Sequence, residues 1–369
     1  MSAVSITTIP VQYLLSNYGT FFQHYALRKV LKSFGFVPYR MPYPDEPISS
    51  WLWKYRMARR FLGNVLRRAR GHRSVRIDMP NRLFEPDYRK LIGPIYEKKP
   101  SHIALAIVGS DQIWQSASPF AWLVNFNGAR RISYAASSDW RRCSAERRWI
   151  DGVGRFYSNI DAVSVREDAG VAAFAALGLN NPKAVCVCDP TTLLENSDYL
   201  EIASGRALFE KPTLFCYFVN ERAPVAKLKA IAEKLQVQLR ILGIQGAERA
   251  IPSKYRARLT PCQFLSAMRD AKYVVTNSYH GMLFALSFKR NFLFVLQSDS
   301  SGASQNIRQM EVLARYNLES RGLSGDADYD TCAEILCADV DWQDVVGRVK
   351  VFRQFSYDWL KSSIKGAGL

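Results

Sequence analysis

The chain is poor in acid, in histidine and in long apolar runs, and each shortage removes a class of protein. Thirty-three acidic residues stand against 50 lysines and arginines, giving a formal net charge of +17 over 369 residues. No segment approaches the roughly 20 uninterrupted apolar residues of a membrane-spanning helix. The opening MSAVSITTIP has no basic region followed by an apolar core, so no signal peptide is expected. Seven cysteines form no C-x-x-C pair, which points to reduced thiols in a cytosolic protein. Cys186 and Cys188 flank one residue of an expected strand, and Cys332 and Cys337 lie on an expected helix. With only four histidines there is no zinc constellation, so buried structural thiols are expected and no metal site. Repeats of 20–50 residues and low-complexity tracts are absent as well.

What is present is a regular alternation of strands and helices. At 369 residues the chain exceeds what one core usually supports, so two domains are expected, 1–195 and 196–369. In the first, strands are predicted at Val4–Ile9, Phe36–Tyr39, Ile103–Val108, Arg131–Ala135, Ala162–Val165 and Ala184–Cys188. Helices are predicted at Phe21–Phe34, stopped by Gly35, and at Ala145–Phe156 and Ala169–Leu177. Pro80–Tyr96 has no clear pattern. After a break near Glu195–Ser197 the alternation restarts. Strands are predicted at Thr213–Val219, Gln238–Leu242, Ala271–Val275 and Phe292–Val295. Helices are predicted at Ala223–Leu235, Thr260–Arg269, Met282–Phe288 and Asn306–Tyr316, with a Ser/Gly loop at Ser298–Ser304 and a closing amphipathic helix at 342–365. The expected fold class is therefore α/β, two doubly wound Rossmann-like domains facing a cleft.

The positive charge is not evenly spread. From Glu46 to Asp78 no acidic residue intervenes, while Lys54, Arg56, Arg59, Arg60, Arg67, Arg68, Arg70, Arg73 and Arg76 accumulate. Leu52, Tyr55, Leu62, Val65 and Ala69 recur at near-helical spacing, so the insertion 48–77 reads as a basic amphipathic helix. Such a helix suits an anionic membrane surface, with residues 51–76 making the contact. Nucleic acid is the other usual partner of basic patches, but no nucleic-acid motif accompanies the charge, and none is expected to bind. A solvated face packed on the domain is the plain alternative.

Polar clusters recur where strands end, as on the ligand-facing edge of a parallel sheet. Thr276-Asn277-Ser278-Tyr279-His280-Gly281 lies between a buried strand and a helix N-terminus, where free N–H groups favour an anion. His280 is the only histidine so placed, and a general acid–base role competes with that of a hydrogen-bonded imidazole in a capped helix. Asp111 fits orientation or deprotonation of a hydroxyl, or simple stabilisation of its loop. Trp114 fits stacking on a sugar or a core position. Asp189, before Pro190, reads as a turn-stabilising residue. Arg308 is either a phosphate contact or a surface ion pair. The first turn, Ser16-Asn17-Tyr18-Gly19-Thr20, lacks G-x-G-x-x-G and is no dinucleotide fingerprint.

Six blocks carry a resemblance. They are Asn17-Tyr18-Gly19 with Gln23 and Ala26-Leu27; Gly109-Ser110-Asp111-Gln112-Ile113-Trp114; and Ser133-Tyr134-Ala135-Ala136-Ser137. Val163-Ser164-Val165-Arg166-Glu167, Asp189-Pro190-Thr191 with Leu193-Leu194, and Ser278-Tyr279-His280-Gly281 complete the set. In this order, over roughly residues 4 to 316, the chain resembles the polysaccharide pyruvyl transferase family. The resemblance implies a GT-B-like fold and transfer of the enolpyruvyl unit of phosphoenolpyruvate to a glycan as a pyruvate ketal, with that donor as substrate and no cofactor. His280 and Arg166 fall on the family's donor-site His and Arg. Ser278 stands where many members carry a second Arg, leaving Arg308, Lys289 or Arg290 to replace it. The implied donor side comprises Arg166, Ser278, Tyr279, Gly281 and Arg308, with His280 and Asp111 catalytic. The implied acceptor side comprises Asn17, Tyr18, Gly19, Gln23, Ser110, Gln112 and Trp114. A lipid-linked or exopolysaccharide precursor at the inner membrane face is the expected acceptor. A nucleotide-sugar glycosyltransferase of the same architecture is the alternative, and a non-catalytic glycan- or membrane-binding protein the third reading.

Overall fold

The computed structural model describes residues 3–7, 14–42, 82–95, 97–98, 100–115, 118–296 and 306–365. The basic insertion 48–77 and the loop 298–304 lie outside the described residues. In the first half the order is β1 (Ala3–Thr7), α1 (Tyr18–Ser33), β2 (Val37–Arg40), α2 (Glu85–Leu91), β3 (Leu105–Val108) and β4 (Arg130–Ser133). There follow α3 (Trp140–Cys143), α4 (Arg147–Phe156), β5 (Ser164–Val165), α5 (Asp168–Ala176), β6 (Val185–Cys186), α6 (Pro190–Leu193) and α7 (Asn196–Leu200). The second half runs β7 (Thr213–Val219), α8 (Val225–Lys234), β8 (Gln238–Ile244), α9 (Pro261–Asp270), β9 (Tyr273–Thr276) and α10 (Tyr279–Ser287). It closes with β10 (Asn291–Leu296), α11 (Ile307–Arg315), β11 (Gly322–Ser324), α12 (Tyr329–Cys337) and α13 (Trp342–Ser363).

All strand pairs are parallel. One sheet has the order β2-β1-β3-β4, another β11-β10-β9-β7-β8, and β5 pairs with β6. Bridges Ile132↔Ala162 and Ala136↔Val165 carry the first sheet on into the β5–β6 pair. The apolar runs explain the layering. Every residue of Leu105–Val108 is buried, as is Thr213–Phe218, so helices cover both faces of these strands. Pairing of Ile107 with both Ile6 and Ile132 sets the register of the first sheet.

Caps account for most helix starts. Asn17 accepts from the Thr20 N–H and so draws Tyr18 and Gly19 into α1, which begins three residues before the predicted Phe21. Ser278 does the same for α10, accepting from the Gly281 N–H, so His280 lies in the first helical turn and not in a loop. Thr260 and Gln263 form a capping box with Pro261 at the first helical position. The expected break at Glu195–Ser197 is itself a cap: Glu195 and Asp198 close a box that starts α7. Pro80–Tyr96, which had no pattern, contains α2, and the expected strand Ala184–Cys188 pairs only over Val185–Cys186.

Helix α1 positions the site. From Tyr18 to Leu31 every residue but Lys29 is buried, because both halves cover it. Tyr18 donates to the Leu259 carbonyl at 2.6 Å and stacks on Phe264 at 4.7 Å between ring centroids. Phe22 packs edge-on against Phe284 and Tyr199. Helix α13 returns across the first half: Phe34 meets Tyr357 at 5.0 Å, and the Cys188 N–H donates to Ser356 Oγ at 2.8 Å. Arg353 donates to the Thr192 carbonyl, and Arg130 to that of Ser363. Among the described residues no helix is long and apolar enough to cross a membrane, and no group of three or more His, Cys, Asp or Glu could hold a metal ion.

Candidate active site

The C-terminal ends of β5, β6 and β9 deliver Arg166, Asp189 and His280 to one place, beside the first turn of α1. Asp189 is its centre, although the sequence offered it only as a turn residue. Its Oδ1 does cap α6, accepting from Thr191 N–H at 2.9 Å and Thr191 Oγ at 2.7 Å. Its Oδ2 accepts from Gln23 Nε2 at 2.6 Å and Arg166 Nη1 at 3.0 Å, and lies 3.5 Å from His280 Nε2. Asp189 is 2% exposed. Burial alone would raise its pKa; the His280 imidazole, the Arg166 charge and the Thr191 N–H outweigh burial and hold it well below the usual carboxylate range. The signal available in the sequence was the pairing of an acid at one strand end with Arg166-Glu167 at the next, since buried charges need partners.

Arg166 is locked on two sides. Its Nε donates to Glu167 Oε1 at 3.0 Å, its Nη1 to Asp189, and its guanidinium lies 4.4 Å from the Tyr279 ring centroid. Glu167 is fixed in turn by Ser137 Oγ and Trp140 Nε1, each at 2.7 Å. Burial works against the Arg166 charge, but Glu167, Tyr279, Asp189 and Asp111 keep its pKa above the ordinary value. The third nitrogen, Nη2, is buried with no hydrogen-bond partner. An arginine held this firmly with one nitrogen unpaired has a donor with which it can meet a ligand oxygen.

Arg308, in the first turn of α11, belongs to the same neighbourhood. Burial and the Arg166 charge lower its pKa from the ordinary value, opposed by Glu167, Asp111 and Tyr279. Two guanidiniums are thus brought together with Asp111 beside them. Further along α11, Glu311 accepts from the Asp168 and Ala169 N–H groups at 2.7 and 3.0 Å, capping α5, and Arg315 pairs with Asp168. Sequence reasoning missed Glu311; its i+3 spacing from Arg308 was the available hint.

His280 is 8% exposed. Its Nε2 is buried, at ion-pair distance from Asp189 but without a closed hydrogen bond. A Cβ on Gly19 would fall 2.0 Å from its Nδ1, so the first turn of α1 lies against that edge of the ring and admits only glycine there. Gly281 is equally constrained, since its Cβ would fall 2.3 Å from Thr276 Oγ1. Tyr279 stands edge-on to His280 at 5.3 Å and buries its ring under Arg166. Ser278 is buried as the α10 cap, a structural task that an arginine at this position would not perform.

The expected acceptor side divides. Asp111 is partly exposed, accepts from Thr20 Oγ1 at 3.2 Å and from the Gln112 N–H at 2.8 Å, and remains at the site. Ser110 lies beside it, with its buried Oγ lacking a partner, and Gln112 is partly exposed and accepts from Gln115. Trp114 is a correction: it is fully buried, stacked on Trp122 at 4.4 Å, and donates to the Ala121 carbonyl, so no ring face is open to a sugar. Tyr18 is likewise core, between Phe84 and Phe264. Asn17 caps α1. Gln23 is buried against Asp189 on the His280 side.

The parallel two-half architecture and a site at facing strand ends define a GT-B-type protein. Among solved structures the chain is similar to a putative UDP-N-acetylglucosamine 2-epimerase from Listeria monocytogenes, at 10% identity and TM-score 0.51, covering 99% of this chain and 96% of that one. It is also similar to UDP-GlcNAc 2-epimerase from Neisseria meningitidis bound to UDP-GlcNAc, at 7% identity and TM-score 0.49, covering 99% of each chain. UGT89C1 of Arabidopsis thaliana complexed with UDP-L-rhamnose aligns at 13% identity and TM-score 0.49, over 100% of this chain and 99% of that one. A search of curated proteins returned no match. The family model for polysaccharide pyruvyl transferase matches residues 17–299, and the chain belongs to that family.

Proposed function

We propose that the protein transfers the pyruvyl unit of phosphoenolpyruvate to two hydroxyls of a glycan, releasing inorganic phosphate. The observation that carries this reading is the buried, partnerless Nη2 of Arg166 beside Arg308, an anion-binding pair next to His280. Phosphoenolpyruvate presents a carboxylate and a phosphate, so it needs two such cationic contacts or a helix N-terminus, and α10 supplies the latter. In the reaction the vinyl carbon gains one proton, the adjacent carbon takes two hydroxyl oxygens, and its bond to the phosphate oxygen breaks. One hydroxyl proton replaces the one consumed at the vinyl carbon, and the other leaves with phosphate. His280 carries the proton to and from the donor, and Asp111 orients the acceptor hydroxyl.

The acceptor on this reading is a lipid-linked or exopolysaccharide precursor met at the inner face of the membrane by a cytoplasmic, peripherally bound enzyme. The basic stretch 51–76 supports that location by charge alone. Exchange of Arg59, Arg60, Arg67 and Arg68 for Glu should release the protein from anionic vesicles at low salt. A wild type that ignores such vesicles removes the membrane claim.

Donor identity is tested by thermal stabilisation with phosphoenolpyruvate and, separately, with a panel of nucleotide sugars. A shift with phosphoenolpyruvate that disappears in Arg166→Ala is the expected result. A shift with a nucleotide sugar alone would replace this reading with that of a glycosyltransferase.

A further inference from the structure

Resting on the reading of His280 as the proton-transferring group, we infer that Asp189 is a positioning residue that fixes the tautomer of His280. The same oxygen ties that imidazole to the anion-binding arginine. A turn-stabilising aspartate needs one oxygen, and Oδ1 already performs that task with Thr191. Oδ2 faces the other way, accepts from Gln23 Nε2 and Arg166 Nη1, and lies 3.5 Å from His280 Nε2. An asparagine amide would set its own N–H groups against this trio, so the position calls for a carboxylate and not just a cap.

The consequence for the ring follows from its two edges. Nε2 is buried and turned to an anion, so the proton of the neutral imidazole belongs there. The lone pair is then left on Nδ1, on the edge that the first turn of α1 approaches closely at Gly19. Asp189 supports the charged ring after it takes a proton, the logic of an acid that orients a histidine base. Asp189 also holds Nη1 of Arg166 while Glu167 holds Nε, leaving Nη2 as the buried nitrogen with no partner. One carboxylate oxygen thus sets the spacing between the proton-transferring and anion-binding groups. The charged and titratable groups around the ring are Asp189, with Arg166 and Glu167 behind it, and Tyr279 on its own helix; Asp111 and Arg308 flank Arg166. Gly19 and Gln23 on α1 add no charge, and burial, Arg28 and Arg40 keep His24 well below the ordinary imidazole pKa.

The test is a long-range proton–nitrogen NMR titration of the full-length protein labelled with nitrogen-15 histidine, with His280 assigned by its loss in His280→Gln. The wild type is expected to carry the Nε2–H tautomer at alkaline pH. Asp189→Asn should move the neutral ring toward the Nδ1–H tautomer, because the carboxylate that favours a proton on the facing nitrogen is gone. An Nδ1–H tautomer in the wild type, or an unchanged tautomer balance in a folded Asp189→Asn, overturns the inference. Should Asp189→Asn fail to fold, the wild-type tautomer alone decides. The readout requires no donor: a protein that does not bind phosphoenolpyruvate but shows Nε2–H refutes only the donor assignment, and Nδ1–H in one that does bind it refutes only the role of Asp189.

Discussion

Two buried clusters, one within the first half and one where the first half meets His280 of the second, are opposite in character. Around Trp114, Trp122, Trp140, Trp149 and Phe174 the interior is aromatic; three indole N–H groups find acceptors, on Ala121, Glu167 and Trp114 itself, and that of Trp122 has none. Around Arg166, Glu167, Asp189 and His280 the interior is ionic, and it retains donors without partners on Arg166 and His280. The two meet at Glu167, which accepts from Trp140 on one side and Arg166 on the other. The aromatic cluster is what stability requires, since each fully buried large side chain contributes roughly 1.5–3 kcal/mol. The ionic cluster is a poor way to stabilise a fold, because desolvating charge offsets most of the attraction gained. Its value lies in holding a few groups in fixed directions.

That contrast can be broken from either side. Replacing His280 with Ala should cut turnover by about 10²–10⁴-fold while the folded spectrum is retained, the range for loss of a positioned acid–base group. Unchanged product formation would remove the assignment. Trp114→Ala should do the reverse, costing roughly 3–5 kcal/mol in denaturant unfolding while the folded fraction keeps its turnover. Gly19→Ala forces α1 or the imidazole to shift, and displacement of that order costs about 10²-fold in rate; a full-rate Gly19→Ala enzyme would mean the His280 edge is not used. The acid limb of stability is a smaller effect. Because the Asp189 pKa is depressed on folding, it adds stability above about pH 4 that is lost as pH falls below that value, so Asp189→Asn should flatten stability against pH there. Smallest is Glu311→Gln, which weakens a charged cap on α5 by about 0.5–1 kcal/mol and should show as a lower unfolding midpoint.

Much of this site was legible before any coordinates. His280, Arg166 and Asp111 stood out because polar residues at the ends of buried strands are where open parallel sheets bind ligands. Arg308 was legible only as a possibility, since its distance from Arg166 is set by how the two halves close. Trp114 and Tyr18 were placed on the wrong side of the surface for one reason. An aromatic next to polar motif residues reads as a sugar platform, and nothing local reveals that Trp122 or Phe264 already covers its face. Asp189 failed in the opposite sense: its turn with Thr191 is local and visible, while its other oxygen works over 166 residues toward Gln23.

By itself the sequence determined the alternation of strand and helix, the family blocks, and a histidine between a buried strand and a helix start. These rest on periodicity and short-range hydrogen bonds, which act within a few residues of chain. The tertiary structure alone decided that α1 lies between the halves with Gly19 against His280, that one carboxylate joins Gln23, Arg166 and His280, and that Glu311 ties α11 to α5. Those are contacts between residues far apart in the chain, and the packing of two sheets around a shared helix is what brings them within hydrogen-bond reach.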